Sequence, residues 1–325
     1  MMQTSFLKYL SLRLATAALA VVGGVALLLS LTLLIPGSPA GVLLGPRATP
    51  EAIAALNKDM GLDLPLPQRL LNFFFDLAQG NLGTDILTNR PVLDAVLEAL
   101  PNTLALAVSS MVLAIAIGIP LGAIGAFRPG GKVDQIIAFF SIGFISAPSF
   151  VVSIFVLLLF AVRLSWFPVL GVGEGFLDQL WHLVLPAFSL AILWIGYIAR
   201  LLRSSLLEVL GEPYIRTMRA YGVPERVVLL KYALKPACIP TLAVLGMGVG
   251  ELLGGAVFTE VIFNRPGLGS LVYQSISTRN YPVVQGGIFV IVLVFVVTNL
   301  LVDLSYAWID PRGRARTHLQ GERAN

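Results

Sequence analysis

The chain has 325 residues, of which 57% are hydrophobic and only 12% charged, with a mean hydropathy of +0.86. Soluble domains carry charge on about a quarter of their residues, so this composition excludes a water-soluble globular protein and implies an integral membrane protein. The formal net charge of +4 is modest, and a single cysteine, Cys238, with two histidines far apart, His182 and His318, leaves no internal disulfide and no cysteine- or histidine-rich metal centre.

Residues 14–35 run without a charge, long enough to cross about 30 Å of hydrocarbon at 1.5 Å per residue. Lys8 and Arg13 also give this run the basic flank of a signal peptide, but it exceeds the roughly 7–15 apolar residues of such a segment, so a retained first span is expected. From residue 37 to 98 the composition turns polar and acidic, with seven Asp/Glu against four Lys/Arg, and predicts a small external helical subdomain. Thr49, Pro50 and Glu51 start a first helix there, with a cap and a Pro at its first position, and Gly61 stops it after Met60. A second helix is expected over about 67–79 and a third over about 91–100, ended by Pro101. Asp59, Asp63, Asp76 and Asp85 read as a solvated acidic face that also suits a basic partner.

Further apolar runs follow at about 103–126, 136–161, 181–199, 239–262 and 284–307, which with the first makes six spans. Under that topology fifteen Lys/Arg fall on one side and seven on the other, so both termini and the 200–238 loop are expected in the cytoplasm. The Gly118/Gly122 and Gly250/Gly254 pairs predict close helix packing, and Pro120, Pro148 and Pro186 predict kinks.

The 200–238 loop holds a polar island, Glu212 to Gly222, with helix punctuation at both ends. Pro213 suits a first helical turn, Gly222 the position past a helix end, and Pro224 the opening of a second helix, so two helices meet at a corner. The first helix turns Tyr214, Ile215, Met218 and Tyr221 toward one side and Arg216 and Arg219 toward another. Such a basic stretch suits either a protein partner or the headgroups of anionic lipid.

No energy-coupling chemistry is visible in the chain itself. Residues 125–133, GAFRPGGKV, fail as a phosphate loop: Ala126 stands where the first glycine should be, and Val133 where Ser or Thr should hold the metal. Neither GxSxG nor HExxH occurs. Ionisable residues in the apolar runs are few: Glu260 and Asp303 lie near span ends and read as interfacial, whereas Glu251 is deeper and either pairs inside the bundle or lines a path.

Arg216 to Gly222, continued by PERVVLLKYALKPACIP to Pro240, resembles the cytoplasmic EAA loop of permease subunits in binding-protein-dependent ABC importers, in its dipeptide and oligopeptide form. The likeness extends through GSPAGVLLGPRATPE, GLDLPLPQRL, GNLGTDI, LPNTLALA, LPAFSLA, RSSLLEVL, NRPGLGSLV, RNYPVVQG and NLLVDLSYAWIDPR, all in the order of that subfamily's first permease subunit. Two positions depart from the pattern: Met218 replaces the small third residue of the triplet, and Tyr221 the lysine often found before the loop glycine.

The resemblance implies an all-α, six-span permease of the type I importer fold. Its expected parts are 1–36, the N-terminus and first span; 37–101, the external subdomain; 102–310, the five-helix core with the 200–238 coupling loop; and 311–325, a cytoplasmic tail. It implies that the helix from Pro213 to Tyr221 is a coupling helix seated in a separate ATPase, through Tyr214, Arg216, Thr217, Met218, Arg219, Ala220, Tyr221, Gly222 and Pro224. Arg216 and Arg219 are the expected polar contacts, with Tyr214 and Tyr221 as anchors. Expected partners are a second permease, two ATP-binding subunits and an external solute-binding protein that meets 37–98 and the 263–283 loop. ATP and magnesium would be held by the ATPases, with no cofactor in this chain, and the location is the bacterial inner membrane. Path candidates are Ser141, Ser146, Ser149, Ser153, Glu251 and Asn299. The same subunit architecture serves dipeptides, oligopeptides, glutathione, nickel chelates and opines. An ion-coupled carrier is disfavoured by the lack of an internal repeat, and an intramembrane protease by the lack of a catalytic pair.

Overall fold

A computed structural model describes the backbone of residues 2–34, 41, 48–59 and 63–309. The regular elements among them are all helices. In chain order these are α1 (Met2–Leu34), α2 (Pro50–Asp59), α3 (Leu66–Ala78), α4 (Val92–Phe127), α5 (Lys132–Ser146) and α6 (Ser149–Val156), which runs on as wider π-helical turns over Leu157–Arg163. There follow α7 (Phe176–Leu210), α8 (Pro213–Ala220), α9 (Glu225–Val227), a π-helical segment Val228–Ala233, α10 (Leu234–Ile262), α11 (Leu268–Ser277) and α12 (Tyr281–Ile309). Ser11–Ser30, Val92–Phe127, Phe176–Leu210 and Tyr281–Leu301 are each long and apolar enough to cross a membrane. The expected fifth span lies in α10, and the expected third is divided between α5 and α6.

The described residues fall into two compact units, one taking those up to Thr103 with Pro266–Leu301, the other Leu104–Arg265. In the first unit, Val25 and Leu29 of α1 pack with Leu82, Val92, Val96 and Leu268, and Phe73 of α3 meets the ring of Phe289 edge-on at 5.6 Å. α2 begins as read from the sequence, its Ala52 N–H bonded to Thr49 Oγ1 at 3.3 Å. The expected stop at Gly61 lies outside the described residues. In the second unit α4, α7 and α10 share a core that includes Leu106, Ala114, Ala191, Trp194, Ile198 and Leu252.

Two expectations are overturned. Pro101 does not end a helix: α4 runs through it, because the turn just after it is tied to a distant segment. Asn102 Nδ2 donates to the Pro266 carbonyl at 3.0 Å, and Thr103 Oγ1 accepts from the Leu268 N–H at 2.8 Å. The 263–283 segment is not a simple loop, since it contains α11 with Leu268, Ser270 and Val272 buried. The Leu268 N–H bond to Thr103 satisfies one of the donors a helix start leaves open, and Ser270 Oγ takes the Gly267 N–H at 3.0 Å. The third apolar run breaks at Pro148, where a kink is expected: Ala147 is extended (ψ 127°), as its clash with the following proline ring dictates, and Pro148 (φ −58°, ψ 136°) precedes the first turn of α6.

The two glycine pairs also part company. A Cβ on Gly118 would lie 2.9 Å from Ile198 Cβ, and one on Gly122 2.7 Å from the Ala199 carbonyl oxygen, so this pair lets α4 and α7 touch backbone to backbone. A Cβ on Gly254 would meet nothing within 4 Å.

Candidate functional site

The corner is held from beneath by apolar packing. α7 stops at Gly211, Glu212 is extended (φ −67°, ψ 147°), and Pro213 takes the first turn of α8, where its missing N–H costs nothing. Ile215 is fully buried against Leu202, Leu206, Val228 and Leu229, with Met218 packed beside it, so α8 is pinned to α7 and to the segment leading into α10. On the same side Tyr214 Oη donates to the Tyr232 carbonyl at 3.3 Å. Arg216, Thr217, Ala220 and Tyr221 point away into solvent, Tyr221 with 83% of its surface exposed. Of the four residues expected on the packing face, Ile215 and Met218 lie there. Tyr221 stands outside it.

The helix end is a Schellman turn, in which the Gly222 N–H bonds the Arg219 carbonyl at 2.9 Å and the Val223 N–H the Met218 carbonyl at 3.2 Å. Gly222 has φ +79°, a left-handed conformation that costs an L side chain roughly 1–2 kcal/mol. Pro224 then caps α9, its carbonyl receiving the Val227 N–H at 2.9 Å and the Val228 N–H at 3.0 Å.

Across this corner Arg219 and Glu225 form a two-pronged ion pair, Nε to Oε2 at 3.0 Å and Nη2 to Oε1 at 2.6 Å. The hydrogen bonds from Arg219 hold the Glu225 carboxyl below the usual carboxylate range, and those to Glu225 raise the guanidinium. Arg216 makes no ion pair among the described residues. Sequence reasoning missed Glu225. Its signal was a carboxylate six residues after an arginine with a Gly-x-Pro corner between.

A second ion pair fixes the preceding loop to α7. Asp134 accepts from Arg203 Nε and from its Nη2, the latter at 2.6 Å, and also from the Gly130 N–H at 2.8 Å.

The path candidates are placed unequally. Ser141 and Ser153 are buried, Ser149 is half-buried, and the side chain of Ser146 lies outside those described. Ser153 belongs to a trio that the sequence did not reveal: its hydroxyl donates to Ser189 Oγ at 3.2 Å and meets Thr259 Oγ1 at 3.3 Å, joining α6, α7 and α10. Glu251 is exposed on α10, on a face shared with Gly254 and Phe258, whose ring lies 6.0 Å from that of Phe150. Glu260 lies two residues from the end of α10 and is fully buried, five residues before a buried Arg265 whose charge it attracts; a carboxylate loses water at acceptable cost only beside such a partner. The side chain of Asp303 lies outside those described. Asn299 is half-buried on α12 and belongs to the other unit. No cluster of metal-ligating side chains occurs among the described residues.

In the external segment, Asp63 and Asp76 are exposed, and the side chain of Asp59 lies outside those described. Asp85 is half-buried and accepts from the Leu87 N–H at 2.8 Å, the Thr88 hydroxyl at 2.7 Å and the Asn280 amide.

Residues 118–315 match the family described as binding-protein-dependent transport system inner membrane component, and residues 6–107 match its N-terminal counterpart. A probable peptide ABC transporter permease protein of Sinorhizobium fredii is 39% identical over 93% of this chain and 98% of its own length. A probable D,D-dipeptide transport system permease of Escherichia coli is 40% identical over 86% and 89%, and a glutathione transport system permease of Pectobacterium atrosepticum 37% over 86% and 89%. In fold, the chain is similar to a solved inward-facing MetNI methionine ABC transporter, with TM-score 0.53 at 19% identity over 66% of this chain and 96% of that one. The likeness carried by the EAA-type loop and the nine ordered blocks is thereby borne out, and the chain belongs to the inner membrane components of binding-protein-dependent transport systems.

Proposed function

We propose that this chain is the first permease subunit of an ATP-driven importer for dipeptides or oligopeptides, with α8 as its coupling helix. The observation that carries the proposal is the two-faced α8: Ile215 and Met218 are locked to the chain's own helices while Arg216, Thr217, Ala220 and Tyr221 present an open polar and aromatic face. A helix rigidly seated on one side and bare on the other is built to receive a partner. Relatives over nearly the whole chain carry peptide, dipeptide and glutathione transport in their names, which supports a peptide-like solute.

In this reading six spans carry both termini and α8 on the cytoplasmic side of a bacterial inner membrane, in keeping with the distribution of fifteen and seven basic residues. Two ATPases seat α8 of this chain and the matching helix of a second permease. Their closure on ATP moves α8, and the corner at Gly222 passes that motion into α10, alternating the access of a central path. Arg216 and Tyr221 supply the contacts. The external segment 37–98 and the stretch around α11 receive solute from a binding protein. Ser141, Ser146, Ser149, Glu251 and Asn299 are the path candidates, whereas Ser153 is engaged in its hydroxyl trio.

The test is uptake of a labelled dipeptide into proteoliposomes holding the complete importer. Uptake that requires ATP and the binding protein is expected; uptake driven by an ion gradient alone would refute the reading. Arg216→Glu is expected to shed the ATPases from purified complex, and undiminished co-purification would remove Arg216 from the docking face. The 37% identical glutathione permease motivates a second reading within the same class. Competition of dipeptide uptake by glutathione or by nickel chelates separates these solutes.

A further inference from the structure

We infer that Arg219 and Glu225 are a clamp that fixes the angle of the Gly222 corner, making Arg219 a positioning residue within this chain instead of a seat for the ATPase. The inference rests on α8 being the coupling helix and assigns the part by which its motion is passed on.

The geometry is that of a strut. Arg219 stands in the last turn of α8 and Glu225 opens α9, with only Ala220 to Pro224 between them. Two parallel hydrogen bonds, at 3.0 and 2.6 Å, fix both separation and orientation, which a single contact cannot do. At the opposite edge of α8, buried Ile215 and the Tyr214 bond to Tyr232 form a pivot. A helix held by a pivot alone can rock, and the ion pair is what stops it.

Packing holds the base of the corner, where Met218 and Val223 lie against Ile215, Val228 and Leu229, and the clamp braces its open rim. Outside the corner, a Cβ on Gly222 would meet nothing within 4 Å. Beside it lies a groove of about 250 Å³, half open to solvent, whose lining includes Phe127, Leu207 and Leu210 together with Arg219 and Glu225 themselves. The turn is therefore packed at its base and open at its rim, where the clamp ties its two arms together.

The expected size follows from exposure. The two side chains are 41% and 49% exposed, and a pair so open to water adds little to folding stability. Loss of a joint's stiffness nonetheless alters the efficiency of each stroke. Arg219 also cannot offer Nε and Nη2 to an ATPase carboxylate while Glu225 holds them.

The experiment uses the complete importer in proteoliposomes and reads two quantities: ATPase subunits recovered with the permease, and solute moved per ATP hydrolysed. Arg219→Gln and Glu225→Gln are each expected to lower solute per ATP by about twofold to fivefold with the ATPases still co-purifying. The reversed pair, Arg219→Glu with Glu225→Arg, is expected to recover most of the loss, which a residue of merely local structural value would not. Wild-type coupling in the single variants, or a reversed pair no better than either, overturns the clamp. So does loss of the ATPases from Arg219→Gln but not from Glu225→Gln, which returns Arg219 to docking. A wild-type chain that recovers no ATPase at all overturns the coupling reading of α8 itself.

Discussion

At Gly122 a side chain would have to occupy space already held by the Ala199 carbonyl oxygen, 2.7 Å from where its Cβ must stand. Gly122→Val is therefore expected to force α4 and α7 apart at a cost of about 1–3 kcal/mol, read as a lower midpoint in thermal unfolding of the detergent-solubilised protein. Gly254→Ala is the control: it meets open space in mid-helix and is expected to be neutral or slightly stabilising, because alanine is the better helix former. Equal losses in the two variants would contradict the packing difference. At Gly222 the constraint is conformational. With φ +79°, Gly222→Val forces a β-branched residue into the left-handed region, and uptake is expected to fall to background while the protein still reaches the membrane. Glu225 supplies a pH dependence whose sign is fixed. Its carboxyl is held below the usual range by Arg219, so the pair's contribution is present above about pH 4.3 and disappears as pH falls through its own lower value. Any difference in thermal midpoint between wild type and Glu225→Gln at pH 7, small for so exposed a pair, should vanish as pH falls through that lower value.

Elements differ in how much of them the sequence disclosed, and the difference follows the range of the forces involved. α8 was legible nearly to the residue, because Pro213 and Gly222 act within a turn of themselves. The long apolar helices were legible for the same reason that the composition was: a membrane segment announces itself by length. The passage of α4 through Pro101 was not, since it depends on Thr103 reaching Leu268, a residue 165 positions away. Nor was α11, whose first turn is completed by that same hydroxyl. Thr103→Val therefore makes a clear test. It keeps the shape but leaves the Leu268 N–H without its acceptor in a buried place, and should cost about 1–3 kcal/mol and expose the 266–280 stretch to faster amide exchange. Unchanged exchange there would show that α11 stands without the bond. The Arg219–Glu225 pair was hidden for a different reason: six residues is not a helical spacing, and only the turn at Gly222 brings the two groups within reach.

For the whole molecule the decisive property is which side of the membrane each segment faces, and charge distribution makes a definite statement about it. A cysteine at exposed Asp63, in a chain whose native Cys238 has been replaced, is expected to react with an impermeant thiol reagent on intact spheroplasts. Labelling only after lysis would invert the topology and place α8 outside. A transporter that alternates between two shapes must also let its helices shift without stranding polar groups in a dry interior. The trio of Ser153, Ser189 and Thr259 meets that need in a particular way. Each hydroxyl is donor and acceptor at once and turns about a single bond, and the Ser189 and Thr259 hydroxyls have backbone carbonyls of their own helices, Pro186 at 2.8 Å and Gly255 at 3.3 Å, as alternative acceptors. In the alternation proposed above, a slide of α6, α7 and α10 by about an ångström would let the protons re-aim without stranding a hydroxyl. The trio would then serve as a bearing, holding three helices together while letting them move past one another.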